Sequence, residues 1–303
     1  MTAHIHPTLE DLIRLQFDAR GFSFRTSQPV SSLLSGRHAS RLRGRGLTFE
    51  ELRGYRPGDD IRTMDWRATA RLRKPHVRVY SEERERPVLL LVDQRSTMFF
   101  GSARTTKATA AAELAALTAW KTLESGDRVG AIIFGDDEVI EIRPHRSRSN
   151  VLRICHEMVR LNKQLSADDA IRTTATFNDA LRRSVNVAKH DHLVLLISDC
   201  AGSDARTRKL ATHLAAHNDV MAALVYDPLG IRLSAVGHMT ASDGPRQVSV
   251  PAGKTFSDRF EAEFRALSRD LKERMGALRI PILPICTHES VVQQVRTALG
   301  ARR

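Results

Sequence analysis

Polar side chains follow one of the most apolar stretches of the chain. Val88–Val92 is an uninterrupted aliphatic run, and Asp93, Arg95, Ser96 and Thr97 come almost directly after it. Such a run is typical of a strand that is buried on both faces of a parallel sheet. A carboxylate followed by hydroxyls provides the hard oxygen ligands that Mg²⁺ takes in proteins. We therefore predict Asp93 and Thr97 as metal ligands, and Arg95 and Ser96 as residues that contact a partner.

Two further apolar runs end next to a carboxylate. His192–Ser198 is followed by Asp199, and Val220–Tyr226 is followed by Asp227. Because functional groups of an open parallel sheet gather at the carboxyl ends of its strands, we expect both to lie near Asp93. A structural interpretation stays open, in which Asp93 and Asp199 only cap the helices that follow them by accepting backbone amides.

The segment from residue 53 to residue 66 concentrates Arg, Asp, Gly and aromatic residues. Pro57-Gly58 predicts a tight turn in which the glycine supplies a positive φ. Bidentate ion pairs are available between Arg53, Arg62 and Arg71 on one side and Asp59, Asp60 and Asp65 on the other. The segment is either an ion-pair network that fixes an extension, or a rigid docking surface anchored by aromatic residues. The candidate docking residues are Arg53, Tyr55, Asp59, Asp60, Arg62, Asp65 and Trp66.

Strand-like and helix-like segments alternate from residue 88 onward, which predicts an α/β fold. Strands are predicted at Val88–Asp93, Arg128–Phe134, Glu138–Pro144, His192–Ser198, Val220–Tyr226 and Arg279–Cys286. Helices are predicted at Thr106–Leu123, Asn150–Asn162, Asn178–Lys189, Ala205–Ala216, Phe256–Met275 and Ser290–Leu299. This order implies a mostly parallel sheet with helices on both faces, one antiparallel edge strand from the hairpin, and a proline-containing strand at the other edge.

The region before residue 88 does not show this alternation of strand-like and helix-like segments. It contains a short helix near residues 9–20, a basic connector at Ser31–Arg45 and a strand around Val77–Tyr80. We expect residues 1–86 to form an extension that packs on an α/β domain of residues 87–303, with a hairpin excursion near residues 230–252.

Composition restricts the kind of partner and the compartment. The net charge of +12 favours nucleic acid, anionic lipid or an acidic protein face, without choosing among them. The three cysteines are widely spaced, which indicates reduced thiols in a cytoplasmic protein. We expect no transmembrane segment, since the longest apolar runs are far shorter than the roughly 20 residues that span a bilayer. A peripheral membrane contact remains open.

The segment Asp93–Thr97 resembles the metal-ion-dependent adhesion site of von Willebrand A domains, whose pattern is Asp-x-Ser-x-Ser. Asp93 and Thr97 match the first and last positions, whereas Arg95 replaces the middle serine. The likeness implies Asp199 as the distal carboxylate and Thr174 or Thr176 as the loop threonine. A guanidinium about 4 Å from a divalent ion would cost about 8 kcal/mol at an effective dielectric of about 20. Arg95 therefore either points away from the site or pairs with its carboxylates in place of Mg²⁺.

The string GRGLTFEELRGYRPGDDIRTMDWRATARLRKPHVRVYSEERERPVLLLVDQRSTM, which begins at Gly44, resembles the signature of the domain of unknown function 58 family. The likeness continues through Lys107, Gly126–Gly130, Asp227–Leu229 and Ile280–Thr287. It implies a von Willebrand A-like, Rossmann-type fold. It also implies a non-enzymatic adaptor or co-chaperone of a MoxR-type AAA ATPase, which helps to assemble or activate an unknown client protein.

A nucleic-acid-binding protein and a metal-dependent hydrolase are two alternative classes of function. A nucleic-acid-binding protein would use the Arg-rich segment 37–78, and its affinity would fall steeply with salt. A metal-dependent hydrolase would need a nucleophile or general base beside Asp93 and Asp199, and the sequence offers no convincing one. We expect no bound nucleotide, because a GxxxxGK[ST] loop is missing from the sequence.

Overall fold

The computed structural model describes residues 5–20, 47–82, 86–166, 175–230, 239–242, 247–250 and 254–299. The chain divides into two compact units, one formed by residues 1–27 with 86–303 and the other by residues 28–85. The predicted connector Ser31–Arg45 and the candidate Thr174 lie outside the described residues.

The larger unit contains the predicted alternation of strands and helices. Its strands are β3 (Val88–Asp93), β4 (Val129–Phe134), β5 (Val139–His145), β6 (Leu193–Ser198), β7 (Asp219–Tyr226), β8 (Met239–Ser242), β9 (Gln247–Val250) and β10 (Ile282–Cys286). Its helices are α1 (Leu9–Asp18), α3 (Lys107–Glu124), α4 (Arg148–Asn162), α5 (Ala175–Val187), α6 (Ala205–His217), α7 (Lys254–Ala277) and α8 (Val291–Leu299).

Six strands form one sheet in the spatial order β10-β7-β6-β3-β4-β5. Neighbouring strands run parallel except β5, which pairs antiparallel with β4 through the predicted hairpin. The proline-containing strand β10 lies at the opposite edge, as predicted, where a missing backbone donor is tolerated. The fold class is confirmed as α/β with a mostly parallel sheet. A separate antiparallel pair, β8 with β9, falls within the predicted excursion.

The sheet is covered by helices on both faces, and the pleat of β3 shows how the core is divided. Leu90 and Val92 belong to the core that includes residues of α1, α3, α4 and α8, whereas Leu89 and Leu91 belong to the core with residues of α5 and α6. Successive side chains of a strand point to opposite faces, so an uninterrupted aliphatic run fills both cores. Burial of this kind positions β3, β6 and β7 rigidly and fixes where their carboxyl ends emerge.

Helix α1 belongs to the larger unit, so the structure divides the chain differently from the predicted extension of residues 1–86. Leu12 is fully buried in the same core as α3, and the indole Nε1 of Trp120 donates a 2.9 Å hydrogen bond to its carbonyl oxygen. Thr8 and Asp11 form a capping box that begins the helix. The apolar face of α1 therefore packs against residues that come after residue 86 in the sequence.

Among its described residues, the smaller unit contains β1 (Leu47–Gly54), a short helical turn (Ile61–Thr63), α2 (Trp66–Leu72) and β2 (His76–Glu82), with β1 and β2 paired antiparallel. The turn before α2 is closed by a 3.0 Å hydrogen bond from the Asp59 amide to the Arg56 carbonyl. Gly58 has a φ of 103° in this turn, as the Pro-Gly pair predicts.

Within the described residues, the structure has no helix with both the length and the apolar character needed to cross a membrane.

Candidate functional site

The sheet brings three aspartates to one edge, as the sequence predicts. Asp93 ends β3, Asp199 follows β6 and Asp227 follows β7, and these three strands are neighbours. Each Oδ1 atom accepts the backbone N–H two residues later, at 3.1, 2.9 and 2.8 Å respectively. The carboxylates therefore hold local turns at the strand ends. The helix-capping interpretation of Asp93 and Asp199 is wrong in its geometry, although both do accept backbone amides.

Arg95 folds back onto Asp93 and forms a buried bidentate ion pair. Its Nε lies 2.9 Å from Oδ1 and its Nη2 lies 2.7 Å from Oδ2. The same Nη2 donates to the backbone carbonyl of Ala201 at 3.2 Å. The side chains of Arg95 and Asp93 are 1% and 0% exposed. Of the two alternatives open for Arg95, the structure shows the second, in which the guanidinium pairs with the carboxylate.

Aromatic rings and a serine complete the surroundings of this pair. The guanidinium carbon lies 4.9 Å from the ring centre of Phe177 and 5.6 Å from that of Phe134, within the range of cation–π attraction. Ser198, the last residue of β6, donates a 2.7 Å hydrogen bond to Asp93 Oδ2. The pair is thus enclosed between β3, β4, β6 and α5.

Burial and the ion pair act on the protonation of both groups. Burial raises the pKa of the Asp93 carboxyl, and the hydrogen bonds from Arg95 oppose this shift. Burial alone would lower the pKa of Arg95, but the hydrogen bonds and charge of Asp93 outweigh it and raise that pKa. The guanidinium is accordingly a permanent positive charge at this position.

The donor set does not fit a divalent ion beside Asp93. Both carboxylate oxygens of Asp93 already accept from Arg95, and the Asp199 oxygens accept from Lys107 and from the Ala201 amide. Among the described residues, no group of three or more His, Cys, Asp or Glu side chains is arranged to hold a metal. A second positive charge at this position would face a fixed guanidinium.

Thr97 and Thr176 are the two predicted metal ligands that carry hydroxyl groups, and both hydroxyl oxygens are buried. The Oγ1 atoms of Thr97 and Thr176 are inaccessible and have no hydrogen-bond partner within the described part of the chain. A buried hydroxyl without a partner costs about 1–3 kcal/mol.

Arg95 was predicted to contact a partner, and in the structure its side chain is almost fully enclosed. Ser96 lies closer to the surface. Its amide and hydroxyl donate to the Asp136 carboxylate at 3.0 and 3.3 Å. This contact ties the turn after β3 to the hairpin between β4 and β5.

Lys107 forms a second ion pair at the same edge. Its Nζ lies 2.6 Å from Asp199 Oδ2, and the two side chains are 15% and 11% exposed. Lys107 is the first residue of α3, 92 positions before Asp199 in the chain. The pair joins the start of that helix to the end of β6 and, unlike the Arg95–Asp93 pair, retains some contact with solvent.

Asp227, which follows β7, holds the loop before α3 by hydrogen bonds. It accepts from the amide and hydroxyl of Ser102 at 2.8 and 2.6 Å, and from the Thr287 hydroxyl at 2.5 Å. Burial opposes ionisation, but these hydrogen bonds outweigh it and hold the pKa of Asp227 below its usual value.

Ser102, His288 and Asp227 look at first like a nucleophile with its base. The Ser102 hydroxyl lies 2.7 Å from His288 Nε2. An ionised carboxylate only accepts, so the serine proton goes to Asp227 and the imidazole nitrogen must donate to the serine. His288 therefore does not remove the serine proton, and the arrangement holds the loop without activating a nucleophile.

Ion pairs hold the segment 53–66, as one of the two interpretations of its sequence predicts. Arg53 donates to both carboxylate oxygens of Asp59 at 3.0 and 2.8 Å, as predicted. Asp65 pairs with Arg78 of β2 at 2.7 Å, and Arg78 was not among the predicted arginines. Trp66 begins α2 with 67% of its surface exposed.

The other predicted docking residues of the segment have smaller roles. Asp60 accepts the Arg62 amide at 3.0 Å and starts a short helical turn, so this pair is a backbone cap and not the predicted ion pair. Tyr55 is half-buried and Arg62 is exposed. The ion pairs thus brace the segment, and Trp66 is left facing solvent.

Several residues of the site escaped sequence reasoning. Ser198 precedes the predicted carboxylate by one position at the end of an aliphatic run, and this position was an available signal. Phe134 and Phe177 were indistinguishable from other core residues. Lys107 stands at a helix N-terminus, where a cation opposes the helix dipole, and that conflict was also an available signal.

Comparisons with known proteins agree with the family suggested by the sequence. Uncharacterized proteins of Mycobacterium tuberculosis (Rv1480) and Mycobacterium bovis (Mb1516) are each 29% identical to the chain over 292 residues. The alignments cover 94% of this chain and 88% of each relative.

Solved structures with some likeness include a conserved hypothetical protein BatB from Bacteroides thetaiotaomicron, at 12% identity and a TM-score of 0.39, covering 70% of this chain and 98% of that one. Another is an aerotolerance-related membrane protein from Bacteroides fragilis, at 12% identity and a TM-score of 0.40, covering 71% and 96%. The family model described as "Protein of unknown function DUF58" matches residues 51–274. The chain therefore belongs to the DUF58 family.

Proposed function

We propose that this chain is a non-enzymatic protein-interaction module that serves as an adaptor or co-chaperone of a MoxR-type AAA ATPase. It would act in the cytoplasm on the assembly or activation of a client protein. The family resemblance supplies the class of partner, and the braced segment 53–66 supplies a surface for docking.

The exposed indole of Trp66 is the observation that carries the proposal. Trp66 is 67% exposed at the start of α2, and its neighbour Asp65 is held by Arg78 and by the Ala68 amide. Because the backbone beneath the ring is fixed, docking loses little conformational entropy. Tryptophan is also one of the residue types that are enriched at the positions that dominate binding energy in protein interfaces.

The buried pair of Arg95 with Asp93 supports a role that does not depend on a metal. Since the guanidinium occupies both carboxylate oxygens, Asp93 is not available as a general base and does not need a divalent cation for charge balance. Calorimetric titration of the purified chain with Mg²⁺ should show only heat of dilution. A stoichiometric binding isotherm that disappears in Asp93→Asn would contradict metal independence.

The interaction itself is tested with a purified MoxR-type AAA ATPase from the same genome, immobilised for interferometry. We expect saturable binding that weakens at least about tenfold in Trp66→Ala. Phe17→Ala is the matched control, since Phe17 is an aromatic residue 70% exposed on α1. Binding that is undetectable for the wild-type chain would refute the partner, and equal loss in both variants would refute the docking residue.

A second candidate function is favoured by the basic surface of α2. Arg67, Arg71 and Lys74 are exposed in and just after this helix, beside Trp66. Cations interleaved with an aromatic ring are typical of proteins that bind single-stranded nucleic acid. The predicted segment 37–78 is described only from residue 47 onward. Binding to oligonucleotides that falls steeply between 50 and 200 mM salt, on the scale of roughly tenfold or more, would support this alternative.

A further inference from the structure

The edge of the sheet opposite the three aspartates forms part of a cavity of 610 Å³, the amino-edge cavity. Pro87, Arg128 and His192 each come directly before a strand of the parallel part of the sheet, and all three line this cavity. Arg143 and Pro144 of the antiparallel strand β5 line it as well. Because the amino ends of parallel strands share one edge, these residues meet at the end of the sheet that is remote from the three aspartates.

Basic side chains dominate the lining of the amino-edge cavity. The basic residues are Arg128, Arg143, Lys189 and His192, and the one carboxylate of the lining is Glu141. With histidine neutral, three positive charges therefore meet one negative charge. A concave surface lined mainly by one sign of charge focuses the electric field and attracts an ion of the opposite sign.

The carboxylate of the lining does not neutralise these cations. Glu141 accepts from Arg143 Nε at 3.4 Å, whereas a charge-assisted hydrogen bond of this kind is typically about 2.7–2.9 Å long. The Arg143 side chain is 87% exposed, and Nε is its only nitrogen that donates a hydrogen bond within the part of the chain that the structure describes. The two Nη groups of Arg143 are thus open to a ligand.

Two further donors of the lining are also open. Lys189 and Asn186 are exposed, and neither side chain forms a hydrogen bond or ion pair with another described residue. His192 donates from Nδ1 to the His190 carbonyl at 2.8 Å, so its neutral ring has no further donor. The donors available to a ligand are therefore the guanidinium of Arg143, the ammonium of Lys189 and the amide of Asn186.

Other acidic residues near this edge lie outside the lining and have partners of their own. Asp219 pairs with Arg86, and Asp191 Oδ2 lies 3.1 Å from His190 Nδ1. Asp127 accepts the Arg86 amide at 3.3 Å. The lining itself thus keeps its excess of positive charge.

The C-terminal end of α5 accounts for one of these cations and not for the others. Lys189 follows the last residue of this helix by two positions, where the helix dipole favours a cation. Arg128 and Arg143 lie at the ends of β4 and β5, and a sheet has only a small net dipole. Their convergence with Lys189 on one cavity therefore needs a different explanation.

We infer that the amino-edge cavity binds the diphosphate group of a small ligand. One phosphate accepts from the guanidinium of Arg143 in the bidentate geometry that arginine favours. The other phosphate accepts from Lys189 and Asn186, and Arg128 adds its charge to the same field.

The size and the walls of the cavity support a small ligand. Volumes of about 300–1,000 Å³ are typical of small-molecule sites, so 610 Å³ has room for more than one phosphate. Pro87, Pro144 and Val187 form the apolar part of the wall. Because proline is conformationally restricted, this part of the cavity is formed before a ligand arrives, which lowers the entropy cost of binding.

Inorganic pyrophosphate tests this chemistry, with sulfate as the comparison anion. Chemical-shift perturbation of the full ¹⁵N-labelled chain at about 0.15 M ionic strength gives both the affinity and the location. We expect saturable pyrophosphate binding at least about tenfold tighter than that of sulfate, since a second phosphoryl group gains further charge-assisted hydrogen bonds. The shifts should centre on the backbone amides of residues 186–192. Absent or non-saturable binding, or shifts centred elsewhere, would overturn the inference.

Variants separate the cavity from general charge effects. Lys189→Met should weaken pyrophosphate binding about tenfold, whereas Lys189→Arg should keep most of the affinity. Lys163→Met is the matched control, because Lys163 is also an exposed lysine at the C-terminal end of a helix, α4. Arg143→Met changes a highly exposed side chain, so it remains informative if Lys189→Met fails to fold. Equal weakening by Lys163→Met, or unchanged affinity in a folded Lys189→Met or Arg143→Met, would contradict the assignment.

A single-stranded oligothymidylate separates a diphosphate ligand from a nucleic-acid backbone. If the oligonucleotide shifts residues 186–192 and pyrophosphate does not, the cavity belongs to a nucleic-acid surface and the inference fails. The inference is independent of the proposed function, because every lining residue belongs to the larger unit and the titration contains no AAA ATPase. Failure of either proposal therefore leaves the other to be decided by its own experiment.

Discussion

Replacing Arg95 with methionine should reveal how strongly the chain depends on its buried ion pair. The change leaves Asp93 without its bidentate partner at a fully buried position, and removes the two cation–π contacts. Breaking a buried pair by removing one partner typically costs about 3–5 kcal/mol, because an uncompensated charge is left behind. We expect Arg95→Met to lose free energy of unfolding of this size at pH 8.

The loss should depend on pH in one direction. Burial raises the pKa of Asp93, and without Arg95 nothing of comparable strength opposes this shift. A carboxyl with a raised pKa in the folded state is favourable to folding below its unfolded pKa, and this contribution is lost as pH rises through the folded pKa. The deficit of Arg95→Met should therefore shrink as pH falls from 8 toward 5.

Urea denaturation followed by tryptophan fluorescence gives the measurement. The chain has two tryptophans, Trp66 in the smaller unit and Trp120 in the larger one. A Trp66→Phe background leaves Trp120, which is buried in the core beside α1, as the reporter of the larger unit. The difference between wild type and variant at each pH cancels the titration of groups that are common to both.

Two comparisons make this test decisive. The double change Asp93→Asn with Arg95→Met removes both charges and should recover most of the loss, with little dependence on pH. Arg14→Met breaks an exposed pair with Glu10 and should move the unfolding midpoint little. A loss below about 1 kcal/mol at pH 8, or one that stays constant from pH 5 to 8, would refute the reasoning.

Three further predictions follow from buried groups elsewhere in the larger unit. Because the pKa of Asp227 is lowered in the folded state, the ionised carboxylate stabilises the fold above the unfolded pKa of about 3.9. This contribution is lost as pH falls through the folded pKa, so Asp227→Asn should flatten acid unfolding monitored by circular dichroism. An unchanged acid profile would contradict this. Burial raises the pKa of Cys155 and Cys200 to about 12, so alkylation by iodoacetamide at pH 8 should be at least about 100-fold slower in the native chain than in urea. Rapid labelling of either thiol in the native chain would contradict this prediction, because it would show that the buried thiol becomes accessible. Gly130→Ala places a Cβ 2.6 Å from the Ile142 carbonyl oxygen, so we expect a loss of about 1–3 kcal/mol in urea denaturation, and wild-type stability would show that β4 and β5 can separate without cost.

The edge of the sheet shows how far sequence reasoning reaches in this protein. Aliphatic runs that end at Asp93, Asp199 and Asp227 predicted three neighbouring strand ends, and the structure has them. The prolines near β10 predicted an edge strand, because proline has no backbone N–H to donate to a neighbouring strand. The division of the chain was harder. Leu12 of α1 packs with residues far along the sequence, and nothing local to the first 20 residues indicates that partner.

The ion pairs of the segment 53–66 show the limit of composition arguments. Arg53 with Asp59 falls within the predicted set of three arginines and three aspartates, and the two residues are six positions apart across a tight turn. Asp65 pairs with Arg78 instead, since the bridge between Met64 and Val77 places β2 beside the start of α2. Which arginine meets which aspartate depends on strand register, and register is a property of the folded pair.

Local apolar patterning, which acts over a few residues, predicts the order of elements and the strand ends where the carboxylates emerge, whereas the family follows from the long motif that begins at Gly44. Which cations meet those carboxylates depends on contacts that form in the folded chain. Lys107 reaches Asp199 across 92 positions, and Ser198 reaches Asp93 across 105. Arg95 lies two positions from Asp93, yet its inward direction depends on Phe134 and Phe177, which enclose the guanidinium where desolvation makes the ion pair necessary.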